Sequence, residues 1–182
     1  MTKRIGWKQL TSEVICENKY FKIRHDKVIQ PDGNEGEYFY IDKNDTVFIV
    51  AENKDGKLIL VGQSRYLSDN FYSWEFVGGG VDKDDSILDS AKKELKEEAG
   101  ITARTWEELG FFYSVNGLAN EKCFVFLAKD LHFGKMENEA TEDIEIKKVT
   151  VKELEKMIAS GEIICGMTIA TFFKYLIFKN KK

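Results

Sequence analysis

The sequence predicts an α/β (α+β) protein: a small β-rich N-terminal extension, then a larger domain of strands interrupted by one well-marked helix and closed by two more. Three observations predict it. Apolar and polar residues alternate over Glu13–Cys16 and Tyr20–Gln30, the period of a half-buried strand. Val47–Ala51 is apolar throughout, as a strand buried on both faces would be. After Gly78-Gly79-Gly80 the apolar period changes to a helical one and stops at Gly100.

The elements follow in order. Pro31-Asp32-Gly33 supplies a turn after the second strand, and Glu37–Ile41 continues extended, which makes a small antiparallel sheet ahead of the main domain. Val47–Ala51 and Leu58–Val61 flank Asn53-Lys54-Asp55-Gly56, a hairpin signal. Trp74–Val77 leads into the glycines. Trp106–Ser114, Lys122–Ala128 and Ile144–Val149 read as later strands. Val151–Ser160 and Met167–Phe178 read as helices, separated by Gly161 and Gly166. The domains divide as 1–43, the extension, and 44–182, the main domain.

Composition narrows the function classes. The 182 residues are 43% hydrophobic and 13% aromatic, enough for a packed core. A net charge of −4 gives no broad basic surface, so a nucleic-acid partner is not expected. No apolar run is long enough to span a membrane, and the N-terminus lacks a signal-peptide stretch, so no membrane partner is expected. Cys16, Cys123 and Cys165 are scattered and odd in number, which suits reduced thiols and a cytoplasmic protein. His25 and His132 have no metal spacing, and Lys179-Asn180-Lys181-Lys182 reads as a solvated tail.

The helix between Ser86 and Gly100 carries the chemistry. Ser86 is a natural N-cap with Asp89 three residues on, and Gly100 suits a left-handed stop. Ile87, Leu88, Ala91 and Leu95 form one apolar face. At roughly 100° per residue, Glu94, Glu97 and Glu98 share one arc off that face, near the helix C-terminus. The helix dipole and mutual repulsion both oppose acids there. Acid-rich helices are often just solvated faces, with Lys92, Lys93 and Lys96 near enough to neutralise this one. The preceding glycines change that reading, because they let backbone approach an ion or phosphate. Hard oxygen donors suit Mg²⁺ or Mn²⁺, and a pyrophosphate would supply the remaining ligands.

The segment resembles the Nudix box: Gly, five residues, Glu, seven residues, Arg-Glu-apolar-any-Glu-Glu-any-Gly-apolar. Gly79, Glu94, Leu95, Glu97, Glu98, Gly100 and Ile101 match it in full spacing. Asp85 stands where the family has Glu, and Lys93 where it has Arg; in the family these side chains help brace the acids. The resemblance implies a Nudix α/β/α sandwich with a mixed sheet. It implies Glu94 and Glu98 as main metal ligands, Glu97 assisting, and the Gly78 carbonyl completing the set. Gly79 and Gly80 would lie against the substrate phosphates.

Beyond the box, the N-terminal β extension, Gln63-Ser64-Arg65-Tyr66 and Trp74-Glu75-Phe76 are similar to the ADP-ribose pyrophosphatase branch, which also includes hydrolases of other nucleoside diphosphate sugars. That likeness implies a small-molecule nucleotide substrate and a homodimer built through the extension. Asn116 replaces the proline common before Gly117 in the branch, and Val77 the one before the glycines, so the wider substrate class is the expectation rather than ADP-ribose alone. In the branch the general base comes from a loop corresponding to 133–143; Glu142 matches best, with Glu139 second. Arg65, at the end of an apolar strand, is a candidate phosphate grip. Tyr20 and Phe21, with Tyr38 and Tyr40, are candidates to stack on a base. The rival readings are a nucleoside triphosphate pyrophosphatase with the same box, a non-catalytic Nudix-fold nucleotide-binding module, and RNA cap removal.

Overall fold

The computed structural model describes residues 6–135 and 144–181. The chain divides into two compact units. One contains the residues through Asn44 together with Tyr113–Lys122; the other contains Asp45–Phe112 and the residues from Cys123 onward.

In the first unit, β1 (Lys8–Glu17), β2 (Phe21–Ile29) and β3 (Glu35–Lys43) form an antiparallel sheet in that order. β1 begins at Lys8, earlier than the expected Glu13. Lys8-Gln9-Leu10-Thr11-Ser12 holds a single apolar residue, so the alternation begins only at Glu13; all ten residues are exposed, so Glu13–Cys16 is a strand but not the half-buried one expected. The turn after β2 closes where expected, with Gly33 at φ 91° and its N–H bonded to the Gln30 carbonyl. The segment Tyr113–Lys122 belongs here because it bonds along β3. Ile41 N–H donates to Leu118 O at 2.8 Å, and the Asn120 side chain accepts from Lys43 N–H and donates to Asp42 at 2.6 Å. His25 lies between Glu13 and Glu37 and stacks on Phe39 at 4.3 Å, a structural place in the sheet.

The second unit holds β4 (Thr46–Ala51), β5 (Leu58–Arg65), β6 (Phe71–Glu75), β7 (Val77–Gly80), α1 (Ile87–Ala99), β8 (Ile101–Tyr113), β9 (Lys122–Phe133), β10 (Glu145–Val149), α2 (Val151–Ser160) and α3 (Gly166–Lys179), with the ends of β8 and β9 reaching the first unit. One sheet runs β7-β4-β9-β8 and is mixed: β4 is parallel to β9 and antiparallel to β7. A second, antiparallel sheet runs β10-β5-β6.

The turn at Asn53–Gly56 forms as expected, with the Asn53 side chain accepting from Asp55 and Lys57 N–H. It does not join a hairpin. β4 and β5 share only the Glu52–Leu58 bridge and then enter different sheets. Both are apolar enough to be buried in separate sheets, so nothing in their composition keeps them paired. The chain crosses back at Phe76, between β6 and β7. β8 starts directly after Gly100, five residues before the expected Trp106; its exposed Thr102, Arg104 and Thr105 hide the start.

The core has two faces. Val47, Ile49 and Ala51 of β4 pack with Ala91, Leu95 and Ala99 of α1. Phe48 and Val50 face Leu154 and Met157 of α2 and Phe172 and Tyr175 of α3. This alternation explains why β4 reads apolar throughout, and it makes the helix–sheet–helix sandwich. Lys179 is not part of a solvated tail: it ends α3 and bonds to the buried Glu52 carboxylate at 2.9 Å. No helix among the described residues is long and apolar enough to cross a membrane.

Candidate active site

The site is built where β7 meets α1. Ser86 caps α1, its hydroxyl oxygen accepting from Asp89 N–H at 3.1 Å and its O–H donating to the Asp89 carboxylate. Lys92 and then Ser86, by hydrogen bonding, hold that carboxyl below its usual range. At the other end Gly100 adopts φ 62°, and its N–H bonds to the Leu95 and Lys96 carbonyls. Both termini fall where the sequence placed them, so the phase of the acid arc is fixed. Glu94, Glu97 and Glu98 are half-buried, whereas Lys92, Lys93 and Lys96 are exposed. The acids are therefore not a solvated face.

β7 lies along α1 and presents the glycines to these acids. Gly78 N–H donates to Glu98 Oε2 at 3.3 Å. Gly79 sits so close to Glu94 that a Cβ there would overlap its carboxyl group. At Gly78 a Cβ would meet the Val47 carbonyl at 2.6 Å and the Phe48 ring at 2.8 Å. Neither glycine is required for a positive φ; each is required for close approach. Gly80 is exposed, with open space where its Cβ would be.

Arg65 ends β5 and is held by Glu75 of β6 in a two-pronged contact, Nε to Oε1 at 3.0 Å and Nη2 to Oε2 at 2.6 Å. This carboxylate holds the guanidinium above its ordinary pKa; Cys165 and Glu98 also lie close enough to add to the effect. Glu75 is only 5% exposed. Lys93 binds Asp82 at 2.7 Å, which raises its pKa, and Glu97 and Asp85 act on it through space.

Gly78, Gly79, Glu94, Glu98 and Arg65 thus belong to one region of the second unit, with Glu97 on the Lys93 side. Tyr20 and Phe21 belong to the first unit, where the Asn18 side chain accepts both of their N–H groups and Lys19 lies over the Tyr20 ring. Tyr38 there donates its hydroxyl to the Gly117 carbonyl at 2.9 Å, and Tyr40 is half-buried. Glu139 and Glu142 lie outside the described residues.

Two residues were missed from the sequence. Glu75 interrupts the apolar run Trp74-Glu75-Phe76-Val77, and an acid inside a buried strand needs a partner. Glu52, at the end of β4, is the same signal and finds Lys179 and Lys129.

The donor set fits a hard divalent cation. All candidate ligands are oxygens, and the Gly79 cradle, which a Cβ would fill, keeps the Glu94 carboxylate against the glycine strand. Among the described residues no three His, Cys, Asp or Glu side chains already form a closed ligand cluster, so substrate or backbone oxygens would have to complete the set.

The NUDIX domain family matches residues 42–164, and the nucleoside diphosphate sugar hydrolase N-terminal domain matches residues 7–41. An ADP-ribose pyrophosphatase of Bacillus subtilis is 28% identical over 180 residues, covering 98% of this chain and 96% of that protein. An ADP-ribose pyrophosphatase of Mycobacterium tuberculosis is 28% identical over 164 residues, covering 88% and 79%. A crystal structure of an ADP compounds hydrolase superposes with a TM-score of 0.86 at 18% identity, covering 100% of this chain and 98% of that one; at that identity the likeness is one of fold. The family's enzymes generally need a divalent metal. With the box seated on a glycine strand and the domain match spanning both core faces, the chain belongs to the Nudix hydrolase family.

Proposed function

We propose that the chain is a divalent-metal-dependent pyrophosphohydrolase of nucleoside diphosphate sugars of the ADP-ribose, ADP-glucose or GDP-mannose type, working with Mg²⁺ or Mn²⁺ as a cytoplasmic homodimer. Water adds across the P–O–P bridge and releases a nucleoside monophosphate and a sugar phosphate. The observation that carries the reading is the seating of Glu94 and Glu98 against Gly78 and Gly79. Relatives bearing the names ADP-ribose pyrophosphatase and the match to the nucleoside diphosphate sugar hydrolase N-terminal domain support the substrate class.

Glu94 and Glu98 would hold the cation, with Glu97 assisting and the Gly78 carbonyl contributing an oxygen. When bound, such a cation neutralises the diphosphate oxygens and lowers the pKa of the attacking water. Arg65 donates to a phosphate oxygen, and Gly79 and Gly80 let the phosphates approach the backbone. Glu142, or Glu139 in its place, takes the proton from the attacking water. Tyr20 or Phe21 stacks on the base. The main domain, 44–182, carries the hydrolytic residues, and the extension, 1–43, pairs the subunits. Leu10, Val14 and Ile15 support that pairing, because they are exposed apolar residues on an edge strand.

The test is a panel of ADP-ribose, ADP-glucose, GDP-mannose, UDP-glucose and nucleoside triphosphates, with and without Mg²⁺, the products being separated and identified. Metal-dependent release of nucleoside monophosphate and sugar phosphate is expected. Turnover of triphosphates alone, or silence across the panel, defeats the proposal.

A further inference from the structure

We propose that Glu75 is a positioning residue for the substrate diphosphate: its buried carboxylate fixes the Arg65 guanidinium in one orientation and leaves Nη1 for a phosphate oxygen. The inference rests on the pyrophosphohydrolase reading and assigns a role to a residue outside the box.

The contact is built to orient. Nε and Nη2 of Arg65 meet the two oxygens of Glu75 at 3.0 and 2.6 Å, so the planar fork of the guanidinium is matched by the planar carboxylate. Such a pair fixes the plane of the guanidinium as well as its distance. An arginine side chain is otherwise among the most mobile, and a free one would have to be ordered at each binding event. Among the described residues, Nη1 makes no hydrogen bond, and the Arg65 side chain is 44% exposed while that of Glu75 is 6% exposed. The anchor is thus buried and the donor is accessible. A lysine at this position could not be oriented in the same way.

The anchor is also tied to the metal arc. Glu75 ends β6, and the chain passes through Phe76 into β7, where Gly78 N–H bonds to Glu98. Phe76 is itself held, its N–H donating to Thr168 Oγ1 at 3.4 Å in the buried start of α3. The same backbone stretch therefore places Glu75 and the glycines that face Glu94 and Glu98. A simple structural ion pair would have no need of an exposed, unspent guanidinium donor beside Glu98, whose charge acts on Arg65.

The test uses Glu75→Gln, Glu75→Asp, Arg65→Lys and Glu75→Gln/Arg65→Lys in the full chain. Binding of α,β-methylene-ADP, whose carbon bridge cannot be hydrolysed, is measured by calorimetry with Mg²⁺. KM and kcat are measured on the panel substrate turned over best, and melting temperature is recorded for each variant. Glu75→Gln and Arg65→Lys are each expected to weaken binding and raise KM about tenfold, the worth of roughly one held charge-assisted contact. Their effect on kcat stays much smaller, and the double variant is little worse than either single one. Glu75→Asp, which keeps the charge but is one methylene short of the two-pronged reach, falls between wild type and Glu75→Gln. If Glu75→Gln does not fold, Glu75→Asp and Arg65→Lys carry the same comparison. A variant that melts lower but binds and turns over like wild type overturns the proposal, as does wild type that fails to bind the probe. Silence of wild type on the panel, with binding lost in the variants, defeats the hydrolase reading and keeps this one.

Discussion

Two adjacent glycines make a prediction that separates folding from chemistry. In Gly78→Ala the new methyl meets the Val47 carbonyl at 2.6 Å and the Phe48 ring at 2.8 Å, both in the core strand β4. Backbone and a buried ring cannot step aside cheaply, so overpacking costs roughly 1–3 kcal/mol. Reduced freedom of the unfolded chain returns about 0.4–1 kcal/mol. At mid-range the net loss is about 1.3 kcal/mol, which lowers the melting temperature by about 3–5 °C in a chain of this size. In Gly79→Ala the three atoms nearest the new methyl all belong to the end of the Glu94 side chain. That carboxylate ends a flexible side chain, so its displacement costs less than moving β4 and is offset by the same return of about 0.4–1 kcal/mol, which leaves stability within about 1 kcal/mol of wild type. The displaced carboxylate no longer sits against the glycine strand. Misplacing a metal ligand should cost at least as much as losing its supporting contacts, about 10–100-fold. The assay pairs thermal melting with nucleoside monophosphate release across a Mg²⁺ titration. The reasoning is refuted if Gly79→Ala keeps wild-type turnover at low Mg²⁺, or if Gly78→Ala melts like wild type.

Further predictions concern the metal, a cap and a buried carboxylate. Mg²⁺ at about 100 times its dissociation constant stabilises the fold by about 2.7 kcal/mol. The melting temperature should therefore rise with Mg²⁺, and Glu94→Gln and Glu98→Gln should abolish the rise without unfolding the chain. Thr150 and Glu153 form a reciprocal capping box at the start of α2, so Thr150→Ala should cost about 1 kcal/mol by denaturant titration and leave turnover unchanged. Burial pushes the Glu52 carboxyl up, but Lys179 and Lys129 outweigh it and hold the group below its usual range. A depressed carboxylate contributes stability above its unfolded pKa, about 4.3, which is lost as pH falls through the lower folded value. Glu52→Gln should therefore destabilise at pH 7, and its deficit should shrink in melts below about pH 4.

The parts of the fold that could be read from the sequence are those governed by local chemistry. Ser86 and Gly100 set the limits of α1, and Gly161 the end of Val151–Ser160. Non-local pairing was less legible. The Asn53–Gly56 turn fixes a reversal of the chain, but whether β4 and β5 then pair depends on which strands compete for their edges. β9 and β7 win β4, while β6 and β10 win β5. The start of β1 escaped because Lys8-Gln9-Leu10-Thr11-Ser12 has one apolar residue and so no alternation, and that of β8 because its first outward residues are polar. In the site, the glutamate arc was legible because helical phase is local. The Arg65–Glu75 contact was not, since it needs the pairing of β5 with β6 to bring residues ten apart into contact.

That contact bears on why three acids can sit at the wrong end of a helix. Glu94, Glu97 and Glu98 face the negative end of the α1 dipole and one another, each effect costing a few tenths of a kcal/mol or more. The structure places a compensating group beside each flank. Gly78 N–H bonds to Glu98, the Arg65 charge acts on the same residue, and Lys93 lies in the field of Glu97. Lys93 spends its hydrogen bond on Asp82, at the start of the box, and reaches Glu97 only through space. An arginine could make both contacts with one planar group. Half-exposed Lys93 is worth little as an ion pair in water, about 0–1 kcal/mol. On the proposed reading, a divalent cation would bring the arc positive charge that Lys93, spent on Asp82, supplies only through space. In that reading, the repulsion that opposes acids at the end of α1 would be what draws a cation to them.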